Sequence, residues 1–326
     1  MFLLVVVIVV ALAFDFTNGF HDTANYVATW VGTRAISPRP AIIISAAANL
    51  AGAFVTTAVA STVANSLISG ATNETLLAAL LGAIAWNLLT WWIGLPSSST
   101  HALVGGLVGA ALVQSGSSGV QWSGVWEKVI LPGLTSPVIG FIGAFALVVL
   151  IYRLLHRVTP AATNRGFRGG QLLTGTWLAF THGANDAQKT MGVISLALAL
   201  HAGEPKAESV PTWVVVACGL TIGAGTYVGG WRIIRTLGQR IYGMQPEHGF
   251  ASQLAAGSTL WLGTKYGFPI STTHVVSGSV MGAGSVRRFS AVKWGVAGNI
   301  VFAWILTLPA AALVAAALYF PISWIF

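Results

Sequence analysis

The amino-acid sequence predicts an all-α polytopic membrane protein with two inverted repeats, broken and re-entrant helices, and about 10–12 membrane segments. Three observations predict this fold class. Of the 326 residues, 55% are hydrophobic and only 7% are charged, whereas a soluble domain carries about 25% charged residues. Apolar stretches close to the spanning length of about 18 residues recur along the chain. Two polar motifs occur once in each half.

The apolar stretches include long single runs and shorter paired runs. Polar or Gly/Pro residues interrupt four pairs: 1–14 with 22–33, 75–95 with 101–114, 170–182 with 187–200, and 250–264 with 269–285. The first and third pairs are predicted as broken helices, in which the backbone unwinds inside the protein. The second and fourth pairs are predicted as re-entrant hairpins.

Charged residues set the predicted orientation, because cytoplasmic loops carry an excess of Lys and Arg. The loops 65–75 and 201–209 are acidic and are placed outside, as are both chain termini. The net charge of +8 therefore reflects membrane orientation and not nucleic-acid binding. The single Cys218 excludes a disulfide framework. Four basic groups are placed in the cytoplasm: Arg34 and Arg39; Arg153, Arg157, Arg165 and Arg168; Arg232, Arg235 and Arg240; and Arg287, Arg288 and Lys293.

The repeated motifs divide the chain into halves. Residues 16–22 and 180–186 are identical at four of seven positions, and residues 94–101 and 267–274 at five of eight. The offsets between the paired motifs, 164 and 173 residues, are similar. Whole halves are therefore predicted to repeat. The predicted division is 1–157 for the first repeat, 158–169 for a cytoplasmic connecting loop, and 170–326 for the second repeat.

The predicted orientations of the two halves are opposite. Segment 1–33 runs from outside to the cytoplasm, and segment 170–200 runs the other way. The hairpin 75–114 has both ends outside, and the hairpin 250–285 has both ends in the cytoplasm. Inverted repeats whose broken helices meet near the midplane are the architecture of secondary transporters that work by alternating access. A channel is the alternative class.

Two aspartates occupy equivalent positions of the first motif pair. Asp22 and Asp186 lie between apolar runs, and carboxylates inside a membrane are costly and usually functional. They are predicted to bind the cation, either Na⁺ or H⁺, with Asn25 and Asn185 as neutral ligands. The alternative is a structural role as helix N-caps. Asp15 has no acidic counterpart, and its role is left open between structural and modulatory.

The second motif pair places Ser/Thr clusters after a proline and before a helix-like run. A helix N-terminus offers free N–H donors and partial positive charge, so it favours anions. The alternative is simple N-capping. Hydrogen phosphate, unlike sulfate at neutral pH, also donates a proton to a carboxylate, although sulfate stays an alternative. The predicted phosphate ligands are Thr23, Ser98, Ser99, Thr100, Gln188, Ser271, Thr272 and Thr273.

Basic side chains flank these motifs. His21 and His182 are predicted as modulators, with plain structural hydrogen bonding as the alternative. Lys189 either neutralises Asp186, contacts the anion, or forms a buried ion pair. The sequence contains neither a paired nucleophile and base nor a zinc-binding spacing, so neither an enzyme nor a cofactor is predicted.

The motifs of residues 16–25 and 182–189, together with Pro-Ser-Ser-Ser-Thr-His and Pro-Ile-Ser-Thr-Thr-His, resemble the signatures of the inorganic phosphate transporter (PiT) family, bacterial type. The resemblance covers nearly the whole chain. It implies a homodimeric phosphate symporter of the inner (plasma) membrane. It also implies cation ligands at Asp22, Asn25, Asn185 and Asp186, and phosphate ligands in the Ser/Thr clusters.

One position departs from that pattern. Some family members carry Asn where this chain has Lys189, so a neutral cation ligand is replaced by a charge. The coupling ion is therefore left open between Na⁺ and H⁺. Carriage of a neutral metal–phosphate complex, which is known among bacterial members, is a further alternative.

Overall fold

The computed structural model describes residues 1–236 and 241–326. Arg240, which was predicted in the third basic loop, lies outside them. Within the described residues the only β pairing is an isolated bridge between Ile68 and Val120. A π-helical turn, Trp126–Ile130, joins α6 to α7. The α-helices are α1 (Phe2–Gly32), α2 (Pro38–Gly52), α3 (Ala58–Asn65), α4 (Asn73–Ile93), α5 (Ser99–Ser115), α6 (Trp122–Val125), α7 (Leu131–Leu154), α8 (Pro160–His201), α9 (Thr212–Val228), α10 (Trp231–Arg235), α11 (Pro246–Lys265), α12 (Thr272–Ser285) and α13 (Trp294–Ile325). The predicted all-α class is confirmed.

The predicted breaks in the two motif-bearing helices are wrong, because α1 and α8 run through their polar motifs without interruption. Hydroxyl groups in the motif donate back to the preceding turn, as Thr17 Oγ1 does to the carbonyl of Phe14 (2.7 Å). The motif glycines allow close helix crossing: a Cβ added at Gly19 would lie 2.5 Å from the carbonyl oxygen of Ile222 in α9. The polar residues thus mark helix contacts and not unwound backbone.

The predicted connecting loop 158–169 is also shorter than expected. Helix α8 begins at Pro160, preceded by the extended residue Thr159. Proline is favoured in the first turn of a helix, where its missing N–H is not needed. Most of the predicted loop is therefore the first turns of α8.

Both predicted hairpins are confirmed as helix–turn–helix units, α4–α5 and α11–α12. Their turns contain Gly94 (φ 70°) and Gly267 (φ 71°), a left-handed conformation that side chains with a Cβ rarely adopt. Helices α5 and α12 are each capped by a serine, whose hydroxyl accepts from the N–H of the histidine three residues later. The shared Gly, Ser and His positions of the motif therefore encode one turn geometry twice.

The second hairpin helix of each half packs against a long helix of the other half. Gly105 of α5 packs against the carbonyl of Leu308 in α13, and Gly278 of α12 packs against the carbonyl of Pro137 in α7. A Cβ at either glycine would overlap that carbonyl oxygen. Each half thus builds part of its core on a long helix of the other half. The order of elements is the same in both halves, but their relation as inverted repeats stays a prediction.

Apolarity and length identify the helices that could cross a membrane. Within the described residues these are Phe2–Gly32, Asn73–Ile93, Trp122–Leu154 and Trp294–Ile325. The remaining helices are shorter or more polar, so the predicted count of membrane segments is not tested. The rings of Phe2 and Phe326 lie 6.0 Å apart, which places both termini on the same side. Which side that is stays a prediction.

Candidate functional site

The two predicted aspartates meet at the centre of the fold. Asp22 of α1 is 2% exposed and Asp186 of α8 is fully buried, although 164 residues separate them in the chain. His182 lies between them, with its Nε2 3.7 Å from Asp22 Oδ2 and 3.6 Å from Asp186 Oδ2. The prediction that the two motifs act together is therefore supported by their position.

Each carboxylate bonds to the Ser/Thr cluster of its own half. Asp22 Oδ2 accepts from Ser99 Oγ (2.9 Å), and Asp186 Oδ1 accepts from Thr272 Oγ1 (3.3 Å). Ser99 and Thr272 occupy equivalent positions at the starts of α5 and α12. In each half, the aspartate helix and the second helix of the hairpin therefore form one hydrogen-bonded unit.

A second set of bonds crosses between the halves. Asn25, three residues after Asp22, donates through Nδ2 to Thr273 Oγ1 (3.0 Å). Lys189, three residues after Asp186, donates through Nζ to Thr100 Oγ1. We call the group formed by Asp22, Asn25 and Thr273 the first half-site. The second half-site is the equivalent group formed by Asp186, Lys189 and Thr100.

The N-termini of α5 and α12 meet beside these half-sites. The Thr100 hydroxyl donates to the carbonyl of Ile270 (3.3 Å), and the rings of His101 and His274 stack with centroids 4.7 Å apart. The first N–H groups of each helix have no acceptor within the helix and carry partial positive charge. Two helix ends that favour an anion therefore adjoin two carboxylates that favour a cation.

The two motif histidines differ in their partners. His21 donates through Nδ1 to Asp22 Oδ1 (2.7 Å). His182 donates through Nδ1 to Asn49 Oδ1 (2.6 Å), and its Nε2 has no hydrogen-bond partner among the described residues. In the neutral ring that Nε2 carries a lone pair, which faces two carboxylates. Three acceptor groups therefore converge on one point, where a proton or a metal cation would satisfy them.

This convergence was not predicted from the sequence. Ligand atoms of Asp22, His182 and Asp186 all lie within 4.8 Å of one another. Asn18 also donates to Asp186 Oδ2 (3.2 Å). The equivalence of Asn18 and His182 in the aligned motifs is the only sequence signal for these contacts, because their spacing matches no metal-binding motif.

Two of the predicted phosphate ligands, Thr23 and Gln188, direct their polar atoms away from the central site. Thr23 Oγ1 donates to the carbonyls of Gly19 (2.7 Å) and Thr226 (3.2 Å). Gln188 Oε1 accepts from the N–H of Val59 (2.8 Å), at the start of α3. Both side chains use their polar atoms to join helices, so the structure does not bring them to the central site.

The remaining predicted residues lie at or beside the site. Asn185 donates to Thr264 Oγ1 (2.9 Å) and to the carbonyl of Phe268 (3.0 Å), and its buried Oδ1 has no partner. Ser98 and Ser271 are the caps of α5 and α12. Both hydroxyls accept from a backbone N–H, and Ser98 Oγ also lies 2.8 Å from Nδ1 of His101.

Asp15 is fully buried on the side of α1 that faces α8. Its Oδ1 accepts from Thr190 Oγ1 (3.0 Å), and its Oδ2 has no partner. It is separate from both half-sites, so the choice between a structural and a modulatory role stays open.

Spanning apolar helices with buried carboxylates beside two helix N-termini are features of membrane transport proteins. The chain belongs to the phosphate transporter family, whose model matches residues 18–315. The resemblance inferred from the motifs is thereby confirmed.

Relatives agree with this membership. A protein of Mycobacterium tuberculosis is 48% identical over 326 residues, covering 98% of this chain and 77% of the relative. One of Bacillus subtilis is 42% identical over 328 residues, covering 99% and 98%. Both are described as probable low-affinity inorganic phosphate transporters. A solved structure described as "The sodium-dependent phosphate transporter" matches with a TM-score of 0.92 at 27% identity, covering 100% of both chains.

Proposed function

We propose that this protein imports inorganic phosphate together with Na⁺ or H⁺, by alternating access, across a bacterial plasma membrane. One observation carries the proposal: the N-termini of α5 and α12 meet beside Asp22 and Asp186, with a hydroxyl joining each carboxylate to its helix end. Phosphate would bind the free backbone N–H groups of the first turns, those of Ser99, Thr100, Thr272 and Thr273, and the hydroxyls of the capping residues Ser98 and Ser271.

The same geometry explains why a cation is needed. Two like charges 4 Å apart repel by about 4 kcal/mol at an effective dielectric constant of about 20. Asp22 is buried, so without a cation its carboxylate would repel an incoming phosphate. A bound cation reverses this interaction. Coupling therefore follows from electrostatics: the site favours phosphate only when the cation is present.

Na⁺ is supported as the coupling ion by the solved structure with the same fold, whose description names sodium dependence. Carboxylate, amide and hydroxyl oxygens are suitable ligands for such a hard cation. H⁺ is supported by His182, whose unpartnered Nε2 lies near both carboxylates.

A second candidate cargo, a neutral metal–phosphate complex, is favoured by one specific observation. Asp22, His182 and Asp186 present two carboxylates and an imidazole within 4.8 Å of one another. Such a mixed N and O donor set suits divalent metals. A metal held there would also neutralise Asp22, the carboxylate that has no lysine or arginine partner among the described residues and would otherwise repel phosphate.

The test is uptake of radiolabelled phosphate into proteoliposomes under separately imposed Na⁺ and H⁺ gradients. We expect saturable accumulation that one gradient drives and that excess sulfate does not inhibit. Loss of uptake on chelation of divalent metals would favour the metal–phosphate complex. Inhibition by sulfate would favour a general oxyanion transporter, and non-saturating flux without counterflow would indicate a channel and contradict the proposal.

The matched variants are Asp22→Asn and Glu204→Gln, since Glu204 is an exposed carboxylate remote from the site. We expect the first to abolish uptake and the second to leave it unchanged. The homodimer and the external position of both termini also stay proposals. Cross-linking in membranes and accessibility of single cysteines at the termini test them.

A further inference from the structure

The two half-sites have the same construction and differ at one position. In both, the residue three positions after the aspartate donates a hydrogen bond to a threonine of the opposite half. The first half-site has the neutral amide of Asn25 at this position. The second half-site has the ammonium group of Lys189.

The Lys189 ammonium lies among three oxygen atoms. Its Nζ contacts Asp186 Oδ2 (2.8 Å), the carbonyl oxygen of Ile270 (3.3 Å) and Thr100 Oγ1. These are a carboxylate, a backbone carbonyl and a hydroxyl, the groups that bind hard metal cations in proteins. The lysine is fully buried, and its three N–H donors match the three oxygens.

We propose that Lys189 is a built-in cation: its ammonium group permanently fills one of two equivalent cation positions, and only the first half-site exchanges its ion. This rests on the proposed function, cation-coupled phosphate transport. It implies that each phosphate moves with one free cation fewer than it would if both half-sites exchanged ions.

Covalent attachment is the physical basis of this role. An exchangeable ion must be captured from water, whereas Lys189 is one turn from Asp186 on the same helix and stays with it whenever α8 moves. Asp186 is thereby neutralised with or without external cation. Asp22 has no lysine or arginine partner among the described residues, so its charge balance depends on His21, His182 and the bound ion.

A purely structural ion pair is the competing explanation, and the two make different predictions for Lys189→Asn. This change makes the second half-site match the first, with an amide oxygen in place of a charge. A built-in cation predicts a new requirement for an external cation. A structural pair predicts weaker folding or binding with no change in the number of cations required.

The experiment measures binding of radiolabelled phosphate to the purified full-length protein at fixed pH, while Na⁺ replaces a bulky organic cation at constant ionic strength. The variants are Lys189→Asn, Lys189→Met, which supplies neither charge nor oxygen, and Lys265→Asn as the control at an exposed helix end. Size-exclusion chromatography and thermal unfolding establish that each is folded.

We expect the Hill coefficient for Na⁺ to be one unit higher in Lys189→Asn than in the wild type. At low Na⁺ its phosphate affinity should fall by about tenfold or more, and high Na⁺ should restore it. Lys189→Met should lose affinity without restoration, and Lys265→Asn should match the wild type. An unchanged Hill coefficient in Lys189→Asn would overturn the inference.

The wild type provides a test even if the variant does not fold. A wild-type Hill coefficient of two overturns the inference, whereas zero or one supports it. Absence of phosphate binding by the wild type under every cation condition would instead overturn the proposed function. The two failures are therefore distinguishable.

Discussion

The surroundings of Asp22 and of Asp186 come from two copies of the same motifs, yet their charges are balanced differently. Asp186 contacts Lys189, a permanent cation on its own helix, at 2.8 Å. Asp22 contacts His21 at 2.7 Å, an imidazole whose charge depends on a proton. The difference teaches that a buried carboxylate can be balanced in two ways: by a lysine on its own helix, or by an imidazole that is charged only when protonated.

Replacing either aspartate should have the largest effect on uptake, and the two replacements should differ in their effect on stability. Asp186→Asn leaves the buried Lys189 without its counter-ion, and an uncompensated buried charge costs about 3–5 kcal/mol. Asp22→Asn leaves no such charge. Both should abolish coupled uptake, but only Asp186→Asn should also lower the yield and unfolding temperature of the purified protein. Equal stability of the two variants would contradict the ion-pair assignment.

A double variant should sharpen the comparison. Asp186→Asn combined with Lys189→Met removes both charges and keeps similar volumes, and replacing a buried pair by uncharged groups is often neutral for stability. We therefore expect it to recover most of the stability lost in Asp186→Asn while uptake stays absent. Thermal unfolding of the double and single variants, compared as a double-mutant cycle, measures the recovery.

Adding a methyl group at equivalent helix crossings should lower the stability of the protein by similar amounts in the two halves. Gly109→Ala in α5 and Gly282→Ala in α12 each place a Cβ against a carbonyl oxygen, of Ala312 and Phe141 respectively. Overpacking of this kind costs about 1–3 kcal/mol. Gly295→Ala is the control, because no atom lies within 4 Å of its added Cβ. A similar loss of unfolding temperature in the first two variants, without loss in the control, is the expected result.

Smaller effects than those of the aspartate variants are expected at the hydroxyls that join carboxylates to helix ends. Ser99→Ala removes a hydrogen bond to Asp22, and Thr272→Ala removes one to Asp186. Hydrogen bonds to charged groups contribute about 1.5–3 kcal/mol. Because Asp186 retains Lys189, we expect Ser99→Ala to raise the apparent KM for the cation more than Thr272→Ala does. Initial uptake rates over a cation titration decide between these outcomes, and the reverse order would contradict the comparison.

Much of the site was predictable because its motifs are local. The eight-residue motif 94–101 contains the turn glycine, the proline, the capping serine and the first-turn hydroxyls, and its copy at 267–274 contains the same set. The hairpins and the burial of Asp22 and Asp186 followed from these patterns. The continuity of α1 could not be predicted from the sequence. A polar run inside an apolar one is equally consistent with a break in the helix and with a helix that buries its polar side chains against neighbours.

Other errors have the same origin. Thr23 and Gln188 are polar residues next to the motif, and only their partners in α9 and α3 show that they join helices. Conversely, His182 was predicted only as a modulator, because its position between two carboxylates depends on how α1 and α8 cross. The direction of a side chain on a buried helix is set by neighbouring helices and not by its own segment.

The sequence by itself determined the membrane class, the duplicated motifs, the two hairpin turns and the residue types of the site, since each depends on composition or on a few consecutive residues. Tertiary structure alone decided which of those residues meet. The crossing of α1 and α8 brings Asp22 near Asp186, and packing between the halves brings Lys189 to Thr100, across 164 and 89 residues of chain. Those contacts depend on which helices cross, and no single segment specifies its partner.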